Sequence, residues 1–285
     1  MSDGDDAYGA TIAKRRLSRI LTRLRGDTGM TASHIDDRLT WGRGKLGRFE
    51  ANTWRRPELS DIRDLLRIYH APDEVKREVE ELAALARERA WWRGSAYKDV
   101  FEDGDEFPGY ESDASIIKTC MPLVLPGLLQ TEAYARAHMS VGPRDEDWIE
   151  RAIAGRLRRQ DILERPDTAP TLIAVITEAS LRYRWGEPAD RREQIDHLIK
   201  ASERPTVELS ILRFEDGPHP GMSSLINIFH YPYADEPAIT YLETDTKIME
   251  VSSSEYLDLF ERIRHAAAPP AESAAFLTRL AEQLE

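Results

Sequence analysis

The sequence predicts a multidomain protein, with an all-α N-terminal domain of short helices and a larger α+β C-terminal domain. Three observations lead there. A chain of 285 residues is long for one hydrophobic core and comfortable for two. Residues 11–70 carry apolar patterns of helical period, broken by Gly, Asn and Pro. The β-branched runs, by contrast, all fall after residue 170, with helical patterns on both flanks. The expected division is a disordered tip at 1–10, a helical domain at 11–72, a helical connector at 73–93 and the α+β domain at 94–285.

Residues 11–29 read as a helix, with Ile12, Leu17, Ile20, Leu21 and Leu24 as its apolar stripe and Gly29 placed to end it. Thr31 suits the N-cap of a second short helix carrying Ile35 and Leu39. A break at residues 40–42 precedes a third segment holding Leu46 and Phe49. After a polar turn at residues 52–57, Leu59, Ile62, Leu65, Leu66 and Tyr69 build a fourth helix. The charged run at 73–90 is strongly helical. Trp91 and Trp92, just after it, suit either a stacking platform or a plug between domains. In the second domain, residues 111–119, 127–139, 145–165, 189–202, 253–268 and 271–284 have helical patterns. Residues 171–177, 206–212, 224–230, 238–243 and 246–251 read as strands bounded by Pro, Gly and Asp.

The net charge of −12 is unevenly spread. Residues 7–70 hold 14 Lys and Arg against 7 Asp and Glu, while residues 71–285 hold 25 against 41. A basic domain on an acidic body can approach phosphates while the remainder repels non-specific contact. The basic charge gathers where the helices are shortest. Ile35 and Leu39 lie at i and i+4, Leu46 and Phe49 at i and i+3, so the two short helices can close on each other and on Leu24. This is the pattern of a helix-turn-helix. The opposite face of its second helix carries Arg43, Gly44, Lys45 and Arg48, the residue types that reach base edges in a major groove. Thr31, Ser33, Asn52, Arg55 and Arg56 are the expected phosphate contacts. Gly42, Gly44 and Gly47 also spell G-x-G-x-x-G, but that fingerprint needs a buried strand before it, and SHIDDRLTW is polar and helical in period. Placed inside a helix, Gly44 and Gly47 would each weaken it by roughly 1 kcal/mol, so the recognition helix is expected to be soft until DNA binds.

Residues 31–50 resemble the Xre, or lambda-repressor-like, helix-turn-helix family, with Leu46 in the aliphatic slot and Glu50 as the closing acid. Gly44 and Gly47 depart from that pattern, standing where small hydroxyl residues are usual. The remainder resembles Xre regulators with a large antitoxin-like C-terminal domain, through VLPGLLQTEAYAR at residues 124–136, Arg159–Gln160 before Ile162–Leu163, ERP at 203–205 and YLE at 241–243. The resemblance implies a homodimeric regulator of transcription acting on double-stranded DNA, tuned by a small partner protein or a small-molecule effector. In the alternative it implies, binding a small partner protein is the main role. Read from the residues alone, Pro126–Gly127 starts a helix whose Leu128, Leu129, Tyr134 and Ala135 line core or pocket. Gln130, Tyr134, Arg136 and the loop residue His219 are candidate contacts for a ligand or partner, with packing the plainer role for each.

No H-E-x-x-H, G-x-S-x-G, P-loop or ordered Cys/His pair is present, so the chain reads as no enzyme and as needing no cofactor. Glu243 and Asp245 are expected to flank a hairpin turn rather than form a carboxylate pair. Cys120 is the single cysteine, which rules out an intrachain disulfide or a cysteine metal pair. The N-terminus lacks the apolar core of a signal peptide, and no stretch approaches the roughly 18 apolar residues of a membrane span. A cytoplasmic protein with no membrane partner is expected.

Overall fold

The computed structural model describes residues 9–54, 56–88, 90–101, 106–222, 225–233, 235–243 and 248–284. The chain divides into two compact units, Met1–Trp91 and Trp92–Glu285.

The first unit is all helical: α1 Ala10–Thr28, α2 Ala32–Arg38, α3 Lys45–Glu50, α4 Leu59–Ile68 and α5 Asp73–Leu85. The apolar stripe of α1 is buried from Ile12 to Leu24, and Gly29 ends the helix in the left-handed conformation, at φ 69°, with its N–H on the Gly26 carbonyl. Leu17, Leu21, Ile35, Leu46, Ile62, Leu65 and Leu66 meet in one core. Burial of this kind stabilises by about 1.5–3 kcal/mol per large apolar side chain. The charged segment expected to connect the domains behaves differently from a spacer. Its helix α5 packs on α1 and α4, and Val79, Leu82 and Ala83 are buried in the same core. An Arg16–Glu78 ion pair at 2.7 Å ties α5 to α1. The polar outer face of α5 had masked a complete inner stripe.

The second unit is built on a six-stranded mixed sheet in the order β3-β2-β1-β4-β5-β6, with β1 Ile116–Met121, β2 Thr171–Thr177, β3 Val207–Leu212, β4 Leu225–His230, β5 Ile239–Glu243 and β6 Ile248–Val251. Its helices are α6 Phe107–Asp113, α7 Glu132–Met139, α8 Glu146–Gln160, α9 Glu178–Arg182, α10 Pro188–Ser202, α11 Ser253–Ala266 and α12 Pro270–Glu282. Strands β1, β2 and β3 run parallel, joined by helical crossovers, while β1, β4, β5 and β6 are successively antiparallel. The fold class is therefore multidomain, all-α followed by α+β.

Two elements differ from the sequence reading. Residues 111–119, expected as helix, contain the end of α6 and the start of β1, the central strand. This strand is specified by partners distant in sequence, Ile117 facing Leu172 on one side and Phe229 on the other. Residues 127–139, expected as one helix, begin with a single 3-10 turn at Gly127–Leu129, and α7 starts only at Glu132, capped by the Thr131 hydroxyl accepting the Tyr134 N–H.

The sheet separates two environments. One face presents Cys120, Val175, Ile226 and Ile228 to Phe260 and Ile263 of α11. Period-2 alternation turns Ile117, Thr119, Met121 and Asn227 to the other face. Cys120 is fully buried, and burial pushes its thiol up to about 12. At pH 8 the native chain should therefore not react with an aromatic disulfide reagent, and denaturant should release one thiol per chain. Rapid titration of the native protein at that pH would contradict the placement of β1.

Candidate functional site

In the first unit, α2 and α3 are joined by residues 39–44, and one buried side chain governs the joint. Asp36, 3% exposed, points from α2 to the start of α3, where its Oδ2 accepts the Gly44 N–H at 2.7 Å and its Oδ1 the Leu46 N–H at 3.0 Å. A helix leaves its first N–H groups unpaired and carries positive partial charge there, so a carboxylate at this position satisfies both needs. Gly44 is the N-cap, at φ 77°, in the left-handed region that glycine adopts without penalty. It is thus not in the helix interior, and only Gly47 weakens α3 from within. The expected softness of this helix is correspondingly reduced.

The other end of α3 is tied down as well. Arg25 of α1 forks onto Glu50, Nε to Oε1 at 2.5 Å and Nη2 to Oε2 at 3.0 Å, and donates through Nη1 to the Met30 carbonyl at 3.0 Å. Trp54, in the segment read only as a polar turn, is buried, and its indole N–H donates to the Ser18 hydroxyl and the Phe49 carbonyl. Leu24, Ile35, Leu46 and Phe49 share the core, with Leu39 half-buried against it.

The residues expected to read bases separate into two groups. Arg43 and Arg48 are exposed, and neither has an ion-pair partner among the described residues. Lys45 is drawn back onto α4, its Nζ 2.6 Å from Asp61 and 4.2 Å from the centre of the Trp41 ring. Gly44 directs its N–H inward to Asp36, which takes it away from a base edge. Among the expected phosphate contacts, Ser33 and Arg56 are exposed, and Thr31 caps α2 by accepting the His34 N–H at 3.2 Å. The Asn52 side chain turns toward α1, its Oδ1 accepting from the Ser18 hydroxyl at 3.4 Å. Arg55 lies outside the described residues.

The second unit contains a cavity of about 290 Å³ on the sheet face opposite α11, close to the lower end of pockets that hold small organic ligands. Its polar wall is the turn at Pro126–Gln130 set against α8. Gly127 eases the packing there. A Cβ would stand 3.2 Å from Arg156 Nη1, so glycine lets the guanidinium lie against the backbone. Gln130, fully buried, donates to the Leu125 carbonyl at 2.7 Å and accepts from Arg156 Nη1 at 2.8 Å. Gln160 donates to the carbonyls of Gly127 and Gln130, both at 2.8 Å. Arg159 is paired bidentately with Glu111 at 2.6 and 2.8 Å. Burial, and secondarily Arg159, holds the Arg156 guanidinium down at about 10, still charged at neutral pH.

Of the four candidate ligand contacts, Gln130 alone lines this cavity. Tyr134 is a packing residue, its hydroxyl accepting the Leu125 N–H at 3.0 Å and its ring meeting Trp185 edge-on at 4.4 Å. Arg136 lies among Glu132, Glu146 and Glu150 in a surface ion network. His219 is half-buried elsewhere, its ring held below the ordinary histidine range by burial. Glu243 lines the cavity, whereas Asp245 lies outside the described residues. Sequence reasoning missed Asp36, Trp54 and Arg156. The paired Asp36–Asp37 and the Arg156-x-x-Arg159 spacing were the available signals, and neither is specific without the fold.

Replacing Asp36 by Ala leaves two N–H groups at the start of α3 unpaired, and should open that helix by about 2–4 kcal/mol. Gly44→Ala should cost about 1–2 kcal/mol through its backbone conformation alone, since no neighbour crowds the position. Hydrogen exchange at the Leu46 amide measures both; unchanged protection in the Asp36 variant would sink the clamp.

No helix among the described residues is long and apolar enough to cross a membrane. No curated protein and no solved structure matches the chain. Two family models do. Residues 16–79 match a helix-turn-helix domain, the architecture of a DNA-binding regulator of transcription. Residues 105–279, more than half the chain, match the domain of unknown function DUF5753. The chain therefore belongs to the DUF5753 family and carries a helix-turn-helix domain ahead of that family's domain.

Proposed function

We propose that this protein is a sequence-specific transcriptional regulator of the Xre type. In this reading it binds two half-sites of double-stranded DNA as a homodimer, and its C-terminal domain adjusts that binding in response to a small molecule or a partner protein. The observation that carries it is the pair of unengaged arginines, Arg43 and Arg48, displayed around a helix whose other face is locked into a core. Arginine reads guanine through O6 and N7 bidentately, which requires a guanidinium free of other partners and a backbone that does not yield. Thr31, Ser33 and Arg56 flank that helix and serve as phosphate contacts that set the register. Lys45 plays a lesser part, because reaching DNA means leaving Asp61.

Gel shifts on genomic fragments captured by the full chain test this ranking. Arg43→Ala and Arg48→Ala should each lose about 1–3 kcal/mol of discrimination between operator and scrambled sites. Arg56→Ala should weaken both kinds of site alike and lower the slope of log affinity against log salt by about one. Lys45→Ala should do less than either arginine variant. Equal binding by all four variants would refute the interface.

A further inference from the structure

The second-unit cavity shows what it lacks. Two of the residues that line it each hold a buried side-chain nitrogen without a hydrogen-bond partner among the described residues, Arg156 Nε and Asn227 Nδ2. Both are donors. Asn227 is 6% exposed, and its Oδ1 already accepts from the Thr119 hydroxyl at 2.9 Å, which leaves the amide NH2 unused. Buried polar groups are almost always paired in folded proteins, so two unpaired donors in one cavity call for acceptor oxygens.

The charges around them narrow the chemistry. Arg159 is neutralised by Glu111, whereas the Arg156 guanidinium hydrogen-bonds the neutral Gln130 amide, with the Glu243 carboxylate near enough to favour its charge. His138 also lines the cavity and is held below its ordinary range, chiefly by burial and then by Arg156, so it adds no positive charge at neutral pH. Beyond the Arg159–Glu111 and Arg151–Asp99 pairs, the lining keeps Arg144, Arg156 and Glu243, a net single positive charge that suits one negative charge. Glu243 on the same lining opposes a second, which disfavours phosphate esters. Ile117, Met121, Leu125, Met139 and Trp148 add apolar wall beside these polar groups. We infer that the cavity binds a small organic monocarboxylate with an apolar body, its carboxylate on Arg156 and an oxygen acceptor on Asn227. This deepens the proposed effector control and rests on it for its regulatory meaning.

Calorimetry on the full chain without DNA tests the site, with phenylacetate and hexanoate as probes and phenylacetamide and phenyl phosphate as comparators. At least one of the two acids should bind saturably at millimolar concentration or below. The amide and the phosphate ester should bind roughly tenfold more weakly or worse. Arg156→Gln should abolish the preference for acid over amide, and Asn227→Leu should weaken both. The acid-to-amide ratio is measured on the unaltered chain, so it stands even where a variant fails to fold. No saturable binding of either acid, or equal affinity for phenylacetate and its amide, overturns the inference. Calorimetry reads the cavity and gel shifts read the DNA interface, so failure of one is distinct from failure of the other.

Discussion

The carboxylate of Asp36, buried between α2 and α3, is the interaction on which the surface carrying Arg43 and Arg48 depends. A helix of six residues cannot hold itself together in water, because nucleation costs more than so few internal hydrogen bonds return. Asp36 accepts two of the N–H groups that α3 leaves open and sets a negative charge at the positive end of its dipole. That contact also fixes the path of the joining turn, which only a left-handed Gly44 completes without strain. At the far end, the Arg25–Glu50 fork and the Trp54 indole hold the helix against α1. Residues inside the core therefore decide where Arg43 and Arg48 point.

The second unit follows similar logic with the charges reversed. Here a buried guanidinium, Arg156, is accommodated by the absence of a side chain at Gly127 and oriented by Gln130. The Pro126–Thr131 turn thus divides its tasks among three residues. Gly127 makes room, Gln130 bridges to α8 and Thr131 caps α7, while Gln160 of α8 donates to the Gly127 and Gln130 carbonyls. With Nη1 held by Gln130, the Arg156 Nε–H stays buried without an acceptor among the described residues. The proposed ligand would supply the missing acceptor.

The uneven charge of the chain fits this division of labour. The basic excess lies in residues 7–70, yet not every cation there is available. Lys45 is held by Asp61 and Trp41, and Arg25 by Glu50. What remains outward is a small set of arginines, which favours directional contacts over a diffuse positive field.

The helices of the first unit were legible from residues alone because their signals are local. The stripe from Ile12 to Leu24, the Thr31 cap and the Gly29 stop each act within a few residues of themselves. The late strands were legible for the same reason, as β-branched runs between turn residues. Strand β1 was not, because its neighbours Leu172 and Phe229 lie more than fifty residues away and only their pairing makes it a strand. Nor could composition separate Arg48 from Lys45, or Gln130 from Arg136, since each pair is alike until an Asp61 or an Arg156 comes within hydrogen-bond reach. Sequence alone determined the class of the two units and the segment that carries the helix-turn-helix. Tertiary structure decided which polar atoms are paired and which are left over, because pairing depends on distances that chain order does not record.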